Sequence, residues 1–130
     1  MRNRVKKTEI DKIVLARLED AEVLLQASRY DGSVYLCGYA IELGLKARIC
    51  QILKWDKYPT TGKYGTFKTH DLSILLHLTG LEIQIKSDFF AEWSIVAQWN
   101  PEARYNPIGN VNESDAIEML NASKELLRQL

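Results

Sequence analysis

The most informative stretch of this chain reads Tyr30-Asp-Gly-Ser-Val-Tyr-Leu-Cys-Gly-Tyr-Ala-Ile-Glu-Leu-Gly-Leu-Lys46. Its pattern predicts a helix over roughly residues 31–55, begun by Asp31 as N-cap. On a helical wheel this segment is apolar nearly all round, so we expect a central helix that is wrapped by its neighbours or buried in a dimer interface. Its small residues should let the backbones of other elements approach closely; they are Gly38, Ala40, Gly44 and Ala47.

The residues before this helix predict a second helix that packs against it. Thr8-Glu-Ile-Asp11 resembles a capping box, and apolar residues then recur at helical spacing. Arg29-Tyr-Asp-Gly-Ser33 is a short turn, and such a short connection favours an antiparallel hairpin. The apolar positions of the first helix are Ile10, Val14, Leu18, Ala21 and Leu25.

The residues after the central helix predict a long loop and shorter helices. Residues 54–68 form the loop, and Thr69-His-Asp71 begins a helix. Leu81-Glu-Ile-Gln-Ile85 is interpreted as a connector to a helix over residues 87–98. Residues 99–112 contain two prolines and should be irregular, and Asn112-Glu-Ser-Asp115 is a capping box for the last helix. The fold class is therefore all-α: one domain over residues 1–130, with about five helices around an antiparallel up-and-down core.

Composition excludes several classes of protein. The chain has 130 residues, 17 basic and 17 acidic, which argues against a strongly basic, non-specific nucleic-acid binder but is compatible with a local basic patch. The basic residues 1–7 are not followed by an apolar segment, and no uncharged run approaches the length of a membrane span. We expect a cytoplasmic protein without a membrane segment, in which Cys37 and Cys50 are reduced and buried.

A few polar residues are candidates for a binding site. Glu42 and Lys46 lie one turn apart on an apolar helix, either as an ordinary ion pair or as part of a polar pocket. His70 either caps its helix or binds a phosphate or transfers protons. Arg104 beside Tyr105 places a planar cation next to an aromatic ring, which suits a phosphate and a base, although Arg104 could also be a surface residue.

Other kinds of site find little support. Gly62-Lys63 lacks the upstream glycine and the strand of a P-loop. His70 and His77 have no carboxylate or Cys at ligand spacing, so we predict neither a metal site nor a cofactor. No Ser-His-Asp, Cys-His or paired-carboxylate arrangement can be assembled from the spacing, so no catalytic residue is assigned.

Three segments resemble, in order, the signatures of the HEPN domain family. Residues 30–46 resemble its second helix, which reads roughly Tyr-Leu-x-x-Tyr-Ala-x-Glu-x-x-Leu-Lys. Lys68-Thr-His-Asp-Leu72 resembles the His-Asp-Leu that opens its third helix. Residues 99–105 resemble the Arg-Tyr stretch of the branch similar to the sacsin C-terminal domain. The resemblance extends from about Val14 to Leu127 and implies a helical HEPN bundle.

The resemblance implies two different functions. Many HEPN proteins are ribonucleases, often toxins or defence effectors, that use an Arg followed after about four to six residues by a His at a dimer interface. Here no His follows Arg104, so the group that would transfer protons is missing. The sacsin-like branch is instead associated with nucleotide binding without hydrolysis. The residues that match its polar positions are Glu42, Lys46, His70, Arg104 and Tyr105.

The first hypothesis is therefore a module that binds a nucleotide or another phosphate-bearing ligand. Lys46 and Arg104 would contact phosphates, His70 would donate a hydrogen bond, Tyr105 would stack, and Glu42 would hold Arg104. The alternatives are an RNA-cleaving toxin of a toxin–antitoxin pair, in which Arg104 acts with His70, and a non-catalytic partner of a nucleotidyltransferase-like protein or an antitoxin. Because the central helix is so apolar, we also predict a homodimer.

Overall fold

A computed structural model describes residues 4–59 and 69–130 of the chain, apart from the side chains of Ala103 and Arg104. Helices dominate these ranges, which confirms the all-α fold class, and two short strands accompany them. The elements are β1 (Arg4–Lys6), α1 (Lys7–Gln26), α2 (Tyr30–Leu53), β2 (Lys57–Pro59), α3 (Leu72–Thr79), α4 (Glu82–Asp88), α5 (Phe90–Val96), a 3₁₀ helix (Pro101–Tyr105) and α6 (Glu113–Gln129).

Helix α2 is the central element, as its apolar circumference indicates. It packs along α1 as a hairpin and also contacts α3 and α6, so most of its length is buried within a single chain. Two of its glycines are approached by side chains and not, as expected, by other backbones: the Trp99 side chain covers Gly38, and the Leu127 side chain covers Gly44. The chain covers its central helix by itself, so the apolar circumference of α2 no longer argues for a dimer. The homodimer stays a prediction.

The beginning of α1 differs from the prediction. The helix starts at Lys7, directly after β1, and its N-cap Lys6 makes no side-chain capping bond, so Thr8 does not open a capping box. The backbone N–H of Lys7 donates instead to the carbonyl of Asp56, at 2.7 Å. Because the strand runs straight into the helix, a neighbouring chain segment satisfies this amide.

The start of α2 differs as well. Its N-cap is Arg29, which makes no side-chain capping bond, and Asp31 lies inside the first turn. Asp31 accepts hydrogen bonds from the backbone of Gly109 and Val111. The carboxylate expected to cap α2 therefore fastens a distant segment to it.

Two further segments depart from the expected pattern. The loop predicted over residues 54–68 contains β2, which pairs antiparallel with β1 so that Val5 faces Tyr58; residues 60–68 lie outside the described ranges. The connector and the helix over residues 87–98 are instead α4 and α5, separated at Phe89. These differences give six α-helices in the described ranges instead of about five.

Two predicted helix starts are confirmed. The Asp71 carboxylate accepts hydrogen bonds from the backbone N–H groups of Ser73 and Ile74 and caps α3. Asn112 and Asp115 form the reciprocal capping box of α6. Within residues 4–59 and 69–130, no helix combines the length and the apolar character that a membrane crossing requires.

Candidate functional site

An open groove lies between α2, the start of α3 and the segment that follows α5. Its volume is about 590 Å³. Polar and aromatic side chains from all three parts of the chain line it, so the groove depends on the tertiary fold and not on one sequence motif. The lining residues are Tyr35, Tyr39, Glu42, His70, Asp71, Leu72, Ser73, Ala97, Gln98, Trp99, Asn100, Pro101 and Glu102.

Glu42 is a buried charged residue of the groove lining. It is only 2% exposed, and its Oε2 atom accepts a hydrogen bond from Lys46 Nζ at 3.0 Å. The same oxygen lies 2.9 Å from His70 Nδ1. A buried carboxylate is costly unless it is paired and hydrogen-bonded, and here two partners reach it from α2 and from the start of α3.

Glu42 also fixes the orientation of His70. A carboxylate accepts hydrogen bonds, so its contact with Nδ1 assigns a proton to that nitrogen and leaves Nε2 as the second functional atom of the ring. The His70 side chain is 61% exposed. Its neighbour Asp71 caps α3, and Thr69 Oγ1 accepts a bond from the Asp71 backbone. The imidazole is therefore exposed, held at one nitrogen and placed directly before the N-cap of α3.

Lys46 contacts Glu42 but does not itself belong to the groove lining. Its ammonium is paired with Glu42 and lies 5.4 Å from the centre of the Tyr58 ring, a cation–π arrangement. Burial raises the pKa of the Tyr58 hydroxyl, and nearby Cys50 and Glu42 act in the same direction. Lys46 is thus mostly enclosed, and its charge offsets that of Glu42.

Aromatic side chains form another wall of the groove. The ring centres of Tyr35 and Trp99 are 5.9 Å apart, with their planes inclined by 48°. Trp99 is buried against Gly38, where a Cβ atom would come within 2.2 Å of the indole. Burial also raises the pKa of the Tyr39 hydroxyl, and the charge of Glu42 adds to this shift. This wall offers flat apolar surface with hydroxyl groups, which suits a planar heterocycle.

The other predicted site residues lie on the segment beyond Trp99. Arg104 and Tyr105 end the 3₁₀ helix whose first residues, Pro101 and Glu102, line the groove. The Tyr105 side chain is 71% exposed and does not belong to the lining. The side chain of Arg104 lies outside the described residues, and so does the predicted contact between Arg104 and Glu42.

The structure thus brings Glu42, Lys46 and His70 together. Trp99 and Asn100 were not predicted as site residues, although the sequence marked their segment as irregular. No local sequence pattern marks this position of Trp99, which depends on the tertiary fold: Gly38, inside α2, allows the indole to approach. Gly62 and Lys63, considered for a P-loop, lie outside the described residues. Among the residues that are described, no three His, Cys, Asp or Glu side chains gather where they could hold a metal ion.

Comparison with known proteins gives one result. A family model described as the HEPN domain matches residues 15–130, which is most of the chain. Neither a curated protein nor a solved structure matches the chain significantly. The matched range begins within α1 and includes the whole groove.

Proposed function

The chain belongs to the HEPN domain family, and from this premise we propose that it is a binding module for a nucleotide or another phosphate-bearing ligand, which it does not hydrolyse. The groove carries this proposal. It combines an aromatic wall with an exposed imidazole that a buried carboxylate holds in place. Pockets for small ligands commonly combine apolar surface with a few converging polar groups. The absence of hydrolysis and the likeness to the sacsin-like branch are part of the proposal.

The groove suggests how such a ligand would lie. The nucleobase of the ligand would rest against Tyr35 and Tyr39. The phosphate of the ligand would contact His70 and Arg104, and Tyr105 would stack at the edge. We propose that Lys46 acts mainly through Glu42, because the ion pair at 3.0 Å already occupies its ammonium. Direct contact between Lys46 and a phosphate stays a prediction.

Equilibrium binding of ATP, GTP and a short single-stranded RNA tests this function. We expect binding that weakens as salt rises, because charged groups contact the phosphates. His70→Ala should weaken it, whereas His77→Ala should not. His77 is a matched control because its Nδ1 atom also faces a glutamate, Glu82, at 3.5 Å, but on the exposed start of α4. The proposal would be contradicted if the protein bound none of the three probes.

The contact between Glu42 and His70 also favours a second candidate, an RNA-cleaving toxin. Attack by a 2′-hydroxyl needs a proton acceptor and a proton donor, each worth about 10²–10⁴ in rate. His70 Nε2 would accept the proton, since Nδ1 is held by Glu42. Among the described residues that line the groove, His70 is the one histidine, so a second histidine for protonating the leaving oxygen is missing and the binding module is the better supported candidate.

Cleavage of a fluorogenic RNA in the presence of a metal chelator separates the two candidates. Under the binding-module proposal, the unaltered protein releases no more fluorophore than buffer does. Cleavage that disappears in His70→Ala and persists in His77→Ala would support the ribonuclease instead. If the protein neither cleaves RNA nor binds nucleotides, the partner of a nucleotidyltransferase-like protein is the function left to test.

A further inference from the structure

Residues 99–111, which we term the strap, are fastened to α2 at both ends. At one end the Trp99 indole covers Gly38, so closely that a Cβ atom on this glycine would overlap the ring. At the other end the Asp31 carboxylate accepts two backbone hydrogen bonds: Gly109 N–H donates to Oδ2 at 2.7 Å and Val111 N–H donates to Oδ1 at 3.0 Å. The strap thus crosses the beginning of the central helix between two anchors.

The proposed ligand site depends on this strap. Between the anchors lies the 3₁₀ helix Pro101–Tyr105, which begins in the groove wall and carries Arg104. We propose that Asp31 is a positioning residue: by binding the far end of the strap, it holds the backbone of Arg104 and Tyr105 beside the groove so that they can meet a phosphate-bearing ligand. This inference rests on the proposed function.

The chemistry of the anchor supports this role. Hydrogen bonds to a charged acceptor are stronger than neutral ones, and the Asp31 carboxylate receives two of them, from residues 78 and 80 positions later in the chain. Asp31 also lies in the first turn of α2, where the helix dipole favours a negative charge. Without these bonds, the residues after Trp99 would lose one of their two anchors on α2, and a ligand would have to restore their order on binding.

Gly109 gives an independent way to loosen the same anchor. Its φ angle is +87°, a conformation that residues with a Cβ atom rarely adopt, and no atom lies within 4 Å of the position where a Cβ would stand. Gly109→Ala therefore strains the backbone without creating a clash. Gly80 is a matched control. It has a φ angle of +76° and equally open surroundings, but it ends α3, away from the strap.

The experiment compares Asp31→Ala, Gly109→Ala and Gly80→Ala at a temperature where all three variants are folded. Isothermal titration with ATP as probe measures affinity, and mass spectrometry follows tryptic cleavage of the bond after Arg104. We expect Asp31→Ala to weaken ATP binding about tenfold and to accelerate this cleavage. Gly109→Ala should act in the same direction, and Gly80→Ala should change neither quantity even where it lowers the melting temperature.

Two results would overturn the inference. One is unchanged cleavage after Arg104 in both strap variants, which would mean that Asp31 does not hold the strap. The other is faster cleavage with unchanged ATP affinity, which would reduce Asp31 to a structural residue. If the unaltered protein binds no ATP, the proposed function fails for this probe, and the cleavage rates alone decide whether Asp31 anchors the strap.

Discussion

Two glutamates in this protein face the same kinds of partner in different surroundings. Glu42 pairs with Lys46, four residues later, and with His70; Glu82 pairs with Lys86, also four residues later, and with His77. Glu42 is buried in the wall of the groove, whereas the Glu82 side chain is 34% exposed. Water screens Glu82 and its partners more than it screens the pair of Glu42 and Lys46, so the same chemistry should contribute differently to stability at the two sites.

This contrast predicts unequal effects of one substitution. Glu42→Ala leaves the mostly enclosed Lys46 ammonium without its counter-charge, which should lower the free energy of unfolding by about 3 to 5 kcal/mol. Glu82→Ala should cost less than about 1 kcal/mol, as exposed pairs do. Urea denaturation of both variants at pH 7.5 measures the difference. Equal losses would show that the buried set contributes no more than a surface pair.

At the scale of elements, apolar periodicity predicted the helices and missed what depends on distant partners. Helix α2 followed from its apolar circumference, and Asp71 and Asn112 from the chemistry of helix capping. The strand β2 has three residues and no alternation, and its pairing partner lies more than fifty residues earlier, so no local pattern marks it. Asp31 was predicted as a cap because a carboxylate near a helix start usually is one. Its actual partners, Gly109 and Val111, became neighbours only through the tertiary fold.

The same reasoning applies to the site. Glu42 could be predicted because a charge inside an apolar helix must find partners, and His70 because it precedes a helix cap. That His70 would supply a partner for Glu42 could not be predicted, since 28 residues separate them and no spacing rule connects α2 with α3. Trp99 could not be placed either, because its position follows from the packing of an irregular segment.

The contact between Trp99 and Gly38 joins two elements and can be tested by a small change. In Gly38→Ala the new methyl group would lie 2.2 Å from the indole, so Trp99 must move, and we expect a loss of about 1 to 3 kcal/mol in unfolding free energy. Gly32→Ala is the matched control on the same helix, because its Cβ would meet only the end of the Leu24 side chain, at 3.1 Å. Denaturation curves measure the loss of unfolding free energy, and tryptophan fluorescence reports the movement of Trp99. A Gly38→Ala protein as stable as Gly32→Ala would exclude a tight contact.

At the scale of the whole molecule, two thiols of α2 and two tyrosine hydroxyls, one on α2 and one on β2, are held in their neutral forms. Burial raises the pKa of the Cys37 thiol from 9.0 to about 12, a shift that the nearby Ser123 hydroxyl partly offsets. Burial likewise raises the pKa of Cys50 to about 11, and the pKa values of Tyr39 and Tyr58 move in the same direction. The folded protein therefore binds these protons more tightly than the unfolded chain does.

This difference makes stability depend on alkaline pH in a definite direction. The stabilisation is fully present below pH 9, where the thiols of the unfolded chain are protonated, and it is lost as pH rises from there toward the folded-state values of about 11 and 12. Between pH 7.5 and 10.5, Cys37 alone should account for a fall of about 2 kcal/mol in unfolding free energy. Urea denaturation at both pH values measures this fall. The unfolding free energy of Cys37→Ala should decrease less between pH 7.5 and 10.5 than that of the unaltered protein, even if the variant is already less stable at pH 7.5. Equal falls in the two proteins would mean that the Cys37 thiol is not protected from ionisation by the fold.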